Sequence, residues 1–208
     1  MRRPPAKRLF GLDRSGPPPE ATLAGRPLNP WTLPNAIGYA RLAAIPAFLL
    51  VALGSRGGHS TAAAVLFAVI GWADYLDGFA ARLTGQYSRL GALMDPVIDR
   101  LLVLSGMAVV LRFGLLPRWA VALVIARELL VLALSRYGLR RGVELRINWP
   151  GRLGVAPAMG APFFALVDLH VVALVMLYLG LALGFAAAAL YVRSGWRQLR
   201  AGQASSSA

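Results

Sequence analysis

The sequence contains no cysteine, one lysine and two histidines among its 208 residues. The missing thiols exclude disulfides, thiolate metal sites and a thiol nucleophile, and they leave the compartment undetermined. Acidic residues are scarce too: nine stand against 22 basic ones, for a formal net charge of +13. That excess does not make nucleic acid an expected partner. The arginines flank long apolar runs, as anchors at an anionic membrane surface do. What the chain has in abundance is apolar surface. Apolar residues make up 57% of the total, and mean hydropathy is +0.59. An ordinary soluble domain is thereby excluded, and an all-α integral membrane protein embedded in membrane lipids is expected.

Six apolar segments are candidate spans, running from Leu33 to Leu53, Thr61 to Leu83, Leu90 to Leu111, Leu115 to Tyr137, Leu153 to Asp168 and Val171 to Val192. They predict six transmembrane helices in one bundle over residues 31–200. The fifth is short and holds Pro157, Gly160 and Pro162, so a kinked or tilted helix is expected there. Residues 1–30 carry seven prolines and six basic residues without a central apolar stretch. They read as a disordered basic tail and not as a signal peptide. Residues 201–208 read as a second loose end. With this layout sixteen basic residues fall on the side of both termini and three, Arg56, Arg112 and Arg118, on the other. Both termini are therefore expected in the cytoplasm of a cell-membrane protein. Arg41, Arg100 and Arg127 lie within spans and need polar partners or a wet cavity. Trp31, Trp149 and Trp196 sit at predicted interfaces as belt residues, and His59 and His170 fall in far-side loops.

Four of the nine acids are packed into 26 residues inside the second and third spans: Asp74, Asp77, Asp95 and Asp99. Charges at that depth are costly and mark functional paths. Helical spacing puts Asp74, Asp77, Gly78, Ala81 and Arg82 on one face, and Gly91, Asp95 and Asp99 on one face of the next helix. From Thr61 to Asp74 is roughly 20 Å of rise, and from Asp99 to Arg112 about the same, so both acid pairs lie at one level in the cytoplasmic half. Clustered carboxylates without imidazole or thiolate favour a hard cation, Mg2+ or Mn2+, and two such ions suit diphosphate chemistry. The small residues permit close approach of a diphosphate, and Arg82 offers a fork of donors. A purely structural alternative pairs the acids with Arg82, Arg89 and Arg100 in intramembrane salt bridges. A cation transporter is the rival from another class, although the inverted repeats typical of one are not found.

The run D-x-x-D-G-x-x-A-R, eight residues, G-x-x-x-D-x-x-x-D, filled at every position from Asp74 to Asp99, resembles the signature of the CDP-alcohol phosphatidyltransferase family. The resemblance implies that Asp74, Asp77 and Asp95 ligate metal, and that Asp99 contributes to the second ion and is the general base. It also implies that Gly78, Ala81, Arg82 and Gly91 hold the CDP moiety of CDP-diacylglycerol. The implied reaction moves the phosphatidyl group to a polar alcohol acceptor and releases CMP. Relatives of this kind are often homodimers, which makes a homodimer an expectation from resemblance alone. Leu33-Pro34-Asn35 with Arg41, Ala126-Arg127-Glu128-Leu129, and Asn148-Trp149-Pro150-Gly151-Arg152 look like the phosphatidylglycerophosphate synthase and cardiolipin synthase branch. Glycerol 3-phosphate is the favoured acceptor and phosphatidylglycerol the alternative. Arg127 and Arg152, with Arg141 or Arg146, are candidates for the acceptor phosphate. Asn35 and Arg41 read equally well as a cap and anchor of the first span, and Arg127 with Glu128 as a local structural pair.

Overall fold

A computed structural model describes residues 19–23, 25–140 and 154–206. Regular structure among them is wholly helical: a 3-10 turn at Glu20–Thr22, then α1 (Leu33–Leu53), α2 (Thr61–Thr84), α3 (Arg89–Phe113), α4 (Arg118–Arg140), α5 (Val155–Leu166) and α6 (His170–Ser206). The starts and stops are written locally. Thr32 caps α1 by accepting the Asn35 N–H, and Pro34 stands in the first turn, where its missing N–H has no helical partner to lose. Ser60 caps α2 through the Ala63 N–H, and Gly85 ends it with φ 69°, a left-handed conformation that favours glycine. Ser88 caps α3, its Oγ accepting the Gly91 N–H at 2.9 Å.

Among the described residues three helices are long and apolar enough to cross a membrane: α1, α2 and His170–Ala187 of α6. Helices α3 and α4, of 25 and 23 residues, have the length, but charges interrupt their apolar surface. Helix α5 has 12 residues, roughly 18 Å of rise against a hydrocarbon core of ~30 Å. The fifth predicted segment is therefore shorter as a helix than as an apolar run. Val167 and Asp168 leave the helix, Asp168 at φ 61°, and Leu153 lies outside the described residues. Helix α6 continues past the predicted end at Val192 to Ser206. No proline follows Pro162 to stop it.

The chain divides into two compact units, Met1–Val109 and Val110–Ala208. In the first, α1 and α2 pair as a hairpin whose buried side chains include Ile45, Phe48, Ala52, Ala63, Ala64, Phe67 and Ile70. Phe48 meets Phe67 with ring centroids 5.2 Å apart. In the second, α5 and α6 approach closely because small residues face each other. A Cβ at Gly180 would lie 3.4 Å from the Ala158 backbone, and one at Gly160 would lie 3.2 Å from Met176. Helix α4 packs on α6 through Trp119 and Tyr178, 6.0 Å apart.

The tail predicted over residues 1–30 falls outside the described residues for positions 1–18, but its last part is tied down. Asn35, 1% exposed, donates its amide to the Asn29 and Pro30 carbonyls at 3.0 and 3.1 Å. Its Oδ1 accepts from Ser88 Oγ at 2.8 Å. The Leu90 N–H donates to Leu28, and Leu33 N–H to the Gln86 side chain. One buried amide thus joins the entry to α1 with the α2–α3 turn, and Gly91 leaves room for it. A Cβ at Gly91 would stand 2.7 Å from Asn35 Oδ1 and 3.1 Å from Ser88 Oγ. Gly91→Ala is expected to destabilise the protein by about 1–3 kcal/mol. That cost should shrink in an Asn35→Ala background, because the two sites share the same space. Thermal unfolding of the two single variants and the double variant checks this; simple additivity would show that the clash is not what Gly91 avoids.

Candidate active site

The acidic residues stand on α2 and α3 as their spacing requires, with Asp74 and Asp77 one turn apart on the first and Asp95 and Asp99 one turn apart on the second. What gathers them comes from α1. The Arg41 guanidinium is buried, with 1% of its side chain exposed, and donates to three carboxylates on two helices. Nη1 reaches Asp74 Oδ1 at 3.1 Å and Asp77 Oδ2 at 3.0 Å, and Nη2 reaches Asp99 Oδ1 at 2.6 Å. Nε is held by the Ile70 carbonyl at 3.0 Å. Asp95 lies outside this fork but within electrostatic reach of Asp77, Asp74, Arg41 and Asp99. The four expected ligands therefore share one site. Side-chain exposure rises from 6% at Asp77 to 29% at Asp99 and 46% at Asp74, so the cluster is closed at Asp77 and open toward Asp74.

A purely structural pairing was expected with Arg82, Arg89 and Arg100. Arg41, which read from sequence as an anchor of the first span or as an in-span arginine in need of polar partners, pairs with three of the acids, and Arg100 also acts on Asp99. Arg89 instead donates to the Arg26 carbonyl at 3.4 Å. An in-span arginine with no acid on its own helix was the available signal, and only the packing of α1 against α2 names its acceptors. Asn35 and Ser88 were likewise not legible as a bridge.

The small residues of the signature prove to have work inside the protein. A Cβ on Gly78 would meet Arg82 Nη1 at 3.2 Å, so the guanidinium lies back over its own helix across the glycine four residues earlier. Gly91 accommodates Asn35, as above. Ala81 is half-buried between them in sequence on the same helix face as Arg82.

Whether these residues fit a divalent ion is decided by the donor set. The site offers carboxylate oxygens alone, the set that hard cations prefer, and a cation already sits where three of them converge. Among the described residues no three acidic or histidine side chains are placed to surround one ion directly, and the Arg41 guanidinium lies between three of the acids. Each gathered carboxylate keeps a second oxygen outside the fork: Oδ2 of Asp74, Oδ1 of Asp77 and Oδ2 of Asp99.

Of the acceptor-side candidates, Arg141, Arg146 and Arg152 lie outside the described residues. Arg127, in the second unit, pairs with the neighbouring Glu128, whose side chain is 6% exposed. Gly184 underlies it, since a Cβ there would approach Arg127 Nε at 3.3 Å. The pair lines a small groove with Val124, Ala158, Gly180 and Phe185. The local pairing open from sequence is thus present.

Comparison with known proteins places the chain in a family. The family model for CDP-alcohol phosphatidyltransferase matches residues 31–187. A probable phosphatidylglycerophosphate synthase of Mycobacterium tuberculosis is 32% identical over 91% of this chain and 93% of the relative. A CDP-diacylglycerol–glycerol-3-phosphate 3-phosphatidyltransferase of Shigella flexneri is 32% identical over 84% of the chain and 96% of the relative. A cardiolipin synthase (CMP-forming) of Streptomyces coelicolor is 35% identical over 66% of each. With its signature acids gathered at one site on neighbouring helices, the chain belongs to the CDP-alcohol phosphatidyltransferase family of membrane enzymes.

Proposed function

We propose that the protein transfers the phosphatidyl group of CDP-diacylglycerol to glycerol 3-phosphate, giving phosphatidylglycerophosphate and CMP. The observation that carries this reading is the convergence of Asp74, Asp77 and Asp99 from two helices on one buried point. The acceptor follows from the breadth of the matches. Similarity to the phosphatidylglycerophosphate synthase covers 91% of the chain, and that to the cardiolipin synthase 66%. Transfer to phosphatidylglycerol is the second reading, supported by the latter relative.

Asp74, Asp77, Asp95 and Asp99 would hold two divalent ions, Mg2+ or Mn2+, through carboxylate oxygens. Bound there, such ions neutralise the diphosphate and polarise the phosphoryl group. Arg82, lying over Gly78 on the Asp77 helix, supplies a fork for phosphate oxygens of the CDP moiety. Asp99 has one oxygen engaged by Arg41, which orients the carboxylate and leaves Oδ2 to take the proton of the acceptor hydroxyl. The hydroxyl oxygen then attacks the phosphorus bearing the lipid. The bond from that phosphorus to the CMP oxygen breaks, and CMP leaves with the electron pair. Arg127, Arg141, Arg146 and Arg152 are the candidates for the acceptor phosphate. For this site to meet water-soluble substrates, the chain would cross the membrane six times with both termini in the cytoplasm. The basic residues, sixteen on one side against three, support that orientation.

Purified protein given CDP-diacylglycerol, Mg2+ and glycerol 3-phosphate is expected to release CMP and to stop when the ion is chelated. Release with phosphatidylglycerol alone would select the second reading, and none with any alcohol would end both. Asp99→Asn is expected to lower turnover by about 10²-fold or more, the usual worth of a general base. Asp95→Asn should also weaken divalent binding. Wild-type turnover in either variant removes the assigned role. Arg152→Ala should raise the KM for glycerol 3-phosphate about tenfold, the scale of one charge-assisted hydrogen bond, with little change for the lipid donor. An unchanged acceptor KM would take Arg152 out of the site.

A further inference from the structure

We propose that Arg41 is the resident cation of this site: a positioning residue that keeps Asp74, Asp77 and Asp99 converged before divalent ions bind, and that limits how tightly they bind. The proposal takes the four aspartates as the ligand set inferred above. Arg41 belongs to α1, outside the signature, yet four of its hydrogen bonds run to α2 and α3. Its Nε bond to the Ile70 backbone fixes the guanidinium plane independently of any carboxylate. With 1% of its side chain exposed, it has no water to exchange its partners for. A buried charge of this kind is retained only where it is fully paired.

Two consequences follow from charge. Without Arg41, four carboxylates would face one another in a partly buried cluster with the counter-charge shared by three of them gone, and mutual repulsion would push α2 and α3 apart. With it, a divalent ion must approach a fixed positive charge and draw on carboxylates each already engaged through one oxygen, at 2.6 to 3.1 Å. Arg41 therefore favours order in the ion-free protein and opposes ion binding. Four carboxylates and one guanidinium carry three net negative charges. Two divalent ions would turn that into a single positive charge, which suits an incoming diphosphate. A neutral residue at position 41 would leave the loaded site uncharged.

The experiment uses the full chain in detergent. Thermal unfolding in EDTA reports order without ions, and Mn2+ binding is read from the free-ion electron paramagnetic resonance signal, independently of turnover. Arg41→Gln removes the charge and, being shorter, leaves one amide donor in place of the fork. Its unfolding midpoint in EDTA should fall by about 5 °C or more. Its half-saturating Mn2+ concentration should fall about tenfold, the direction set by relief of like-charge repulsion. Arg41→Lys keeps the charge and loses the fork. It should unfold earlier in EDTA, with Mn2+ affinity within about threefold of wild type. An Arg41→Gln midpoint equal to wild type, or Mn2+ binding that is unchanged or weaker, overturns the proposal. If Arg41→Gln cannot be purified folded, an Arg41→Lys midpoint in EDTA equal to wild type overturns it instead. Wild-type protein that binds Mn2+ but releases no CMP would sink the transferase reading and leave Arg41 in place. Wild-type protein that binds no Mn2+ would sink the ligand set and this proposal together.

Discussion

A guanidinium with three carboxylates around it, buried among apolar helices, is the constraint from which the rest of the first unit follows. Apolar contacts such as Phe48 on Phe67 stabilise the α1–α2 hairpin, but they tolerate sliding, because one methyl group packs much like another. An ion cluster does not tolerate it. A shift of α1 by one residue would rotate Arg41 away from Ile70, Asp74, Asp77 and Asp99 at once. Removing one partner of such a buried set typically costs about 3–5 kcal/mol, since the remaining charge is left uncompensated. Register in this part of the molecule is therefore set by polar atoms, while the apolar surface supplies the driving force for packing.

Seen from that cluster, the glycines of the signature acquire a second meaning. A small residue beside a proposed diphosphate site is readily explained by close approach of the ligand. Yet Gly78 and Gly91 each lie against a polar side chain of this same chain, Arg82 and Asn35 respectively. The first lets a cation lie along its own helix near the acids. The second lets one amide bind the α1 entry and the Ser88 cap together. Both place charged or polar groups before any substrate arrives, which is how a site holds geometry without reorganising during reaction. Ligand approach and internal packing are compatible demands, because both exclude a Cβ.

The helices were largely legible in sequence because their signals are local. The apolar runs from Leu33 to Leu53 and from Thr61 to Leu83 mark nearly the same boundaries in the chain and in the structure. The four aspartates were legible for the same reason, since three- and four-residue spacing declares a shared face. Arg41 was not. Its acceptors lie 33, 36 and 58 residues away, and no periodicity encodes which helix packs beside which. Asn35 and Ser88, 53 residues apart, escaped for the same reason. The length of α5 was misjudged because hydropathy does not record where backbone hydrogen bonding stops, as it does at Asp168 with its left-handed φ.

Hydropathy also understates the helices that carry in-span charges. Among the described residues the segments with clear spanning character are α1, α2 and the first part of α6, and α2 qualifies although it carries Asp74 and Asp77. Helix α3 is longer than α1 but holds Asp95, Asp99 and Arg100 within six residues, and α4 holds Arg127 beside Glu128. Those charges lower the apolar signal of the helices that bear them. Burial does the compensation: Asp77 and Glu128 are 5% exposed, and no buried side-chain nitrogen or oxygen among the described residues lacks a partner. A charge in such a helix is tolerated when another helix answers it. A scale that scores each segment alone consequently loses sensitivity where charges are concentrated and answered by another helix.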